Sequence, residues 1–267
     1  MSGSRRFVAV LAGALALALT FLTLPIVAIF VDTGPGQLLS SLDDPVAVDA
    51  LRLSLETTAA SLAIIVVVGT PAAYLLATRS FRGRSVVITL VELPLVLPPA
   101  VAGIGLLAAL GPNGLLGGWL NDEGVVLVLQ TAGVIVALTF VAAPFFLRQA
   151  QAAFESVDRR ALEASRTLGS GEGRTLIRVA IPAARSGLAA GLALAWGRAL
   201  GEFGATLMFA GSVRGVTQTV PLAIYDRFAT DFPAALALSA VLVAISGALL
   251  LTVKLVVRPP STADAAG

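Results

Sequence analysis

Apolar residues in this chain come in long blocks, not in the alternation of a half-buried strand. Phe7 to Val31 contains no ionisable side chain and is long enough to cross about 30 Å of hydrocarbon as a helix. Similar blocks follow and predict six spans, at 7–31, 57–78, 86–110, 125–147, 186–211 and 232–253. The expectation is an all-α membrane protein, with residues 1–267 forming a single transmembrane domain. Arg5 and Arg6 precede the first block as they would in a secretory signal. The block is longer than the ~7–15 apolar residues usual there, so a retained span is expected.

The polar segments between the blocks differ in charge. Residues 32–56 carry Asp32, Asp43, Asp44, Asp49 and Glu56 against one base, Arg52. Arg79, Arg82 and Arg84 form a tight basic turn around Gly83. Residues 111–124 are turn-rich, with Trp119, Asp122 and Glu123, and 212–231 hold Arg214, Asp226 and Arg227. Six spans put both termini on one side. That side carries Arg5, Arg6, Arg79, Arg82, Arg84, Arg148, Arg159, Arg160, Arg166, Arg174, Arg178, Arg185, Lys254 and Arg258, and the other only Arg52, Arg214 and Arg227. Positive charge collects on the cytoplasmic side of a cell membrane. Both termini and the 148–185 loop are therefore expected to be cytoplasmic.

That loop holds the longest polar stretch, FESVDRRALEASRTLGSGEGRTLIRVAIP from Phe154 to Pro182. Phe154, Val157, Ala161, Ala164 and Leu168 have helical spacing and predict one amphipathic face. Gly169 and Gly171 are expected to end that helix, as glycine does where a left-handed residue is needed. A second run, Thr175 to Ile181, then meets Pro182. An amphipathic basic loop between spans suits docking onto a soluble partner.

Two spans carry residues that hydrocarbon disfavours. From Glu92 to Gly103 the chain reads ELPLVLPPAVAG. Pro94, Pro98 and Pro99 each remove a backbone donor and clash with the preceding turn, so a continuous helix is not expected. A broken helix at membrane depth lines a cavity or pathway, or it is a kinked packing helix. Arg198 and Glu202 lie four residues apart, on one helix face. An intramembrane charge costs about 3 kcal/mol or more unless it is paired or turned inward. Either the two form an ion pair that locks packing, or Arg198 flanks an anion pathway. Glu92 is a second potential partner for Arg198, or a residue near the cytoplasmic interface.

Composition narrows the chemistry. The chain is 57% hydrophobic and 13% charged, with Gly 26 and Pro 14, a balance typical of multi-span membrane proteins. It has no Cys and no His, which excludes disulfides, thiolate metal sites, Cys nucleophiles and His proton relays. A net charge of +2 gives no reason to expect nucleic acid. The only lysine, Lys254, ends a span, so no phosphate-binding Gly-Lys-Ser/Thr loop exists. The glycine-rich run Gly169–Gly173 lacks that lysine and follows a helix rather than a strand. No cofactor, metal site or catalytic group is expected.

Three stretches carry a family resemblance. Glu163-Ala164-Ser165, then Gly169, then Val179, Ile181 and Pro182 are similar to the loop of ABC-importer permeases that reads Glu-Ala-Ala, three residues, Gly, nine residues, Ile-x-Leu-Pro. Ser165, Val179 and Ile181 are conservative departures. The Glu92–Gly103 segment resembles the third span of molybdate and sulfate permeases. GRALGEFGATLMFAG from Gly197 to Gly211, followed by TQTVPLAIY from Thr217 to Tyr225, resembles the fifth span and following loop of molybdate permeases. Gly197, Gly201, Gly204 and Ala205 are also small enough to permit close helix approach.

The resemblance implies a six-helix type I ABC importer permease fold. It implies a second copy of the chain, a cytoplasmic ATP-binding subunit docked on the loop through the residues just quoted, and an extracytoplasmic oxyanion-binding protein. The implied cargo is molybdate, with tungstate and sulfate or thiosulfate as alternatives. Hydrolysis would lie on the ATP-binding subunit, and Glu92, Pro94, Pro98, Pro99, Arg198 and Glu202 are the pathway candidates. A reading from another class is an ion-coupled secondary transporter. It would depend on Glu92 and Glu202, the acids at depth, and would leave the 163–182 stretch unexplained.

Overall fold

The computed structural model describes residues 2–34, 36–37 and 43–256. Arg258, counted above in the charge bias, lies outside the described residues. Every regular element among the described residues is helical. Among the described residues, five helices are long and apolar enough to cross a membrane, and the spans number six if one bent pair counts as a single span.

Helix α1 (Ser2–Asp32) covers the first predicted span. Its apolar window buries nothing within this chain. Helix α2 (Pro45–Thr78) starts well before the expected residue 57 and runs for 34 residues, about 51 Å at 1.5 Å per residue. Asp44 caps it, its carboxylate accepting from the Val46 N–H at 2.9 Å, and Pro45 occupies the first turn, where its missing donor matters least. The acidic stretch hides a helical period. Ala47, Ala50, Leu53, Ser54 and Thr57 are buried, while Arg52 and Glu56 pair on the exposed side at 2.7 Å.

The third span is interrupted, as its prolines predict. Helix α3 (Arg84–Val96) and helix α4 (Pro99–Leu110) meet at a 117° bend. The short helix α5 (Gly117–Asp122) follows. Helix α6 (Thr131–Glu155) extends past the expected end at 147, because Ala150, Gln151, Ala153 and Phe154 continue its buried stripe.

Helix α7 (Arg159–Thr167) and the single turn α8 (Glu172–Thr175) form the long polar loop. A π-helical turn at Leu176–Ala180 then feeds helix α9 (Ile181–Leu200). Pro182 therefore ends nothing. It sits in the first turn of α9, and the run from Glu172 to Leu200 is continuous. The fifth predicted span is not one helix to Gly211. It stops at Leu200, breaks over 201–203 and resumes as helix α10 (Gly204–Ala210). Helices α11 (Val220–Thr230) and α12 (Phe232–Val256) complete the chain.

The core lies between α2, α6 and α9, where Leu62, Ile65, Tyr74, Leu138, Phe146 and Phe154 pack with Ala180, Ala184 and Ala195. Tyr74 and Phe154 meet edge to face at 5.4 Å. Both ends of this bundle carry polar structure, and the candidate residues lie there and at the two breaks.

Candidate functional site

The loop 156–182 is built around two helix ends. Asp158 starts α7, its carboxylate accepting from the Arg160 N–H at 2.9 Å. Gly169 ends it at φ +84°, with Ser170 N–H donating to the Ser165 carbonyl and Gly169 N–H to that of Arg166. This six-to-one, five-to-two pattern is a Schellman turn, which needs a left-handed residue. Gly171 has φ −67° and begins the next turn instead of ending this helix. The expected single helix from Phe154 to Leu168 is two helices, broken over 156–158. The expected face divides with it. Phe154 and Val157 are buried, together with Leu162, while Ala161, Ala164 and Leu168 are exposed, Leu168 at 86%.

Polar contacts hold the loop against the bundle. The Ser165 and Thr175 hydroxyls lie 3.0 Å apart. Glu172 bridges Arg79 at 2.9 Å and Arg166 at 3.2 Å, tying the 79–84 turn to α7. Burial works against the charged form of Arg166, but Glu172 and the Tyr74 hydroxyl outweigh it and hold the guanidinium above its usual value. The Glu163 carboxylate forms no hydrogen bond or ion pair among the described residues. It lines a pocket of about 180 Å³ with Thr78, Val157, Leu162 and Arg166. Glu163, Ala164, Gly169 and Pro182 face outward, Ser165 is half-buried, and Val179 and Ile181 pack against the core.

The charged residues in the spans resolve into separate pairs. Arg198 pairs with Glu202, and the other Glu202 oxygen accepts from the Ala205 N–H at 2.7 Å. Glu202 thus bridges the break at 201–203. It holds the last turn of α9 through Arg198 and the first turn of α10 through its backbone. Its side chain is 1% exposed and that of Arg198 26%. Glu92 does not reach Arg198; it pairs with Arg148 of α6 at 2.7 Å.

The two breaks, far apart in sequence, cross in space. A Cβ on Gly204 would lie 2.8 Å from the Pro99 Cβ, and one on Gly103 would lie 2.7 Å from the Ala205 carbonyl oxygen. Helices α4 and α10 therefore approach at backbone distance, with Pro99 and Gly204 at the crossing. Gly204 and Ala205 serve close approach as expected. Gly197 and Gly201 meet no neighbouring helix within this chain. Pro94 lies within α3, ahead of the bend, and Pro98 caps α4.

Sequence reasoning missed Arg148, Gln151 and Glu155, which it assigned to a loop. Their signal was the helical continuation of Ala150, Ala153 and Phe154. The Thr217–Thr219 signature closes a turn: Thr217 accepts from the Val213 N–H at 2.8 Å, and the Val220 N–H donates to Ser54 of α2 at 2.8 Å. Among the described residues no group of three or more acids is placed to hold a metal ion.

Residues 66–258 match the family described as binding-protein-dependent transport system inner membrane component. The molybdenum transport system permease protein ModB of Mycobacterium tuberculosis is 41% identical over 237 residues, covering 88% of this chain and 89% of the relative. The probable transport system permease protein NifC of Clostridium pasteurianum is 36% identical over 244 residues, covering 91% and 85%. A chain from the crystal structure of a bacterial alginate ABC transporter in complex with alginate pentasaccharide-bound periplasmic protein superposes with a TM-score of 0.75. Its identity is 18%, with 94% of this chain and 93% of that one covered. The fold is that of type I ABC importer permeases.

Proposed function

We propose, from the premise that this chain belongs to the family of inner-membrane components of binding-protein-dependent transport systems, that it is the membrane-spanning permease subunit of an ATP-driven importer of molybdate. The observation that carries the substrate is the 41% identity to a molybdenum permease along nearly the whole of both chains. The 197–225 stretch, with its Thr-Gln-Thr turn, supports the same branch.

The chain is a multi-pass membrane protein and contributes mechanics, while hydrolysis belongs to a separate ATP-binding subunit. Its docking surface on this reading is α7 and the following turn, where Glu163, Ala164 and Leu168 face outward from a helix fixed at both ends. The excess of arginine on the 79–84 and 148–185 segments supports a cytoplasmic placement for this surface and for both termini. The outer side then faces an oxyanion-binding protein. A second copy of the chain completes the path, supported by the apolar faces that one copy leaves uncovered, α1 above all.

Molybdate is a dianion, and its transfer into hydrocarbon would be prohibitive without polar or basic lining. The two helix breaks are the candidate lining, with Arg198, a quarter exposed beside the 201–203 break, as the basic group. In the proposed cycle, ATP closes the ATP-binding subunits, α7 moves with them, and the path opens outward to receive the anion. Selectivity can reside in the binding protein, so the path need not bind tightly.

The test is a mild-detergent pull-down of the tagged chain from its native membrane. An ATP-binding subunit in about equal amount is expected, with a binding protein that is then titrated with molybdate, tungstate and sulfate. A chain that purifies alone and transports on an ion gradient without ATP would overturn the reading. A binding protein that prefers sulfate would overturn the cargo alone.

A further inference from the structure

Helix α3 leads into the 117° break, yet none of its residues is buried within this chain. Polar contacts add to the partly buried Ile88, Val91 and Pro94 in holding it. Arg84, at its first turn, donates to Glu155 at 2.9 Å and to the Leu76 carbonyl at 2.9 Å. Glu92, two turns on, pairs with Arg148 at 2.7 Å. Between these points α6 supplies its own link. Gln151, 5% exposed, accepts from Arg148 at 3.2 Å and donates to Glu155 at 2.9 Å. The result is one connected ladder, Glu92–Arg148–Gln151–Glu155–Arg84, that grips α3 at two places about 12 Å apart along its axis.

The position of the ladder gives it a use. Glu155 is the last residue of α6, and only 156–158 separate it from α7. Val96 is the last residue of α3, and Leu97 and Pro98 form the bend. Each ion pair is partly exposed, and partly exposed pairs contribute little stability, typically under about 1 kcal/mol. A buried glutamine joining both pairs fixes direction and register more than it adds stability. The surrounding α6 is a packed rod, so a displacement of α7 enters it at Glu155.

We infer that this ladder is the coupling clamp of the permease: it makes α3 follow α6 when α7 moves, so that the proline break changes its angle. Glu92, Arg148 and Gln151 are positioning residues, acting on the pathway through α3 without touching the anion. The inference rests on the ATP-driven reading above and assigns its transmission to these side chains.

The experiment uses the whole transporter, permease with its ATP-binding subunit and binding protein, reconstituted in liposomes with molybdate as the probe. Three quantities are read: ATP hydrolysed, molybdate imported per ATP, and the thermal stability of the purified transporter. Wild type without ATP-dependent uptake would overturn the ATP-driven reading, and the clamp with it. Given that uptake, E92Q and R148E are expected to hydrolyse ATP and keep their thermal stability, while import per ATP falls about tenfold. The exchange E92R/R148E is expected to regain most of the loss. Variants that lose stability and hydrolysis together with uptake, at an unchanged ratio, would overturn the clamp and leave a packing pair. A variant that needs no charge exchange supplies a second reading. The chain has no cysteine, so E92C/R148C can be joined by a short bis-maleimide cross-linker, each thiol adding across one maleimide double bond. A clamp predicts that joining preserves import per ATP. Import abolished on joining would mean that α3 must slide against α6, and would overturn it.

Discussion

At the scale of the residue, the Arg198–Glu202 pair shows how burial sets unequal roles. Glu202 is enclosed and serves two partners, Arg198 and the Ala205 N–H. Arg198 is a quarter exposed and has water or a polar cavity as an alternative. Removing Arg198 strands a buried carboxylate, and breaking a buried pair in this way costs about 3–5 kcal/mol. Glu202→Gln keeps an acceptor for Ala205 and leaves the cation partly solvated, a loss nearer the ~1–3 kcal/mol of a charged hydrogen bond. Arg198→Ala is therefore expected to lower the thermal unfolding temperature in detergent more than Glu202→Gln. The reverse order would mean that the pair is not what joins the last turn of α9 to α10.

At the scale of the element, each interruption has a local cause and a separate consequence. The bend between α3 and α4 follows from Pro98 and Pro99, which cannot continue a helical ladder. The end of α7 follows from Gly169, and its left-handed backbone aims the chain into α8, where Ser165 meets Thr175. A β-branched residue at φ +84° is strained by about 1–3 kcal/mol. No neighbouring atom lies within 4 Å of a Cβ placed there, so the strain is not compounded by a clash. Gly169→Val is expected to leave the bundle folded and to redirect the end of α7. Anion uptake in vesicles should fall by about tenfold or more, while the unfolding temperature shifts little. Normal uptake would show that the direction of this turn is not used.

At the scale of the molecule, a bundle of α2, α6 and α9 carries polar structure at the end where α7 lies, and α4 and α10 cross against its α6 member. Glu163 stands on α7, its carboxylate without an intrachain partner among the described residues, above the pocket that Arg166 also lines. Reversing its charge tests docking without touching the core. Glu163→Lys is expected to reduce copurification of the ATP-binding subunit several-fold, with the yield and stability of the permease unchanged. Equal recovery of the subunit would remove Glu163 from the docking surface. The apolar blocks, the break at the prolines and the glycine turn were all determined by the sequence itself. Hydropathy and backbone-limiting residues act on their own neighbourhood, so they can be read without a partner. The reach of α2 and α6 into polar segments was less visible, because charge density masked a narrow buried stripe of alanines and Phe154. The Arg198–Glu202 pair was offered by their four-residue spacing; only the tertiary structure decided that Glu92 belongs to Arg148, and that Gly103 and Gly204 bring the two breaks together. Charge pairing and backbone approach depend on which helices become neighbours, and residues far apart along the chain carry no mark of that choice.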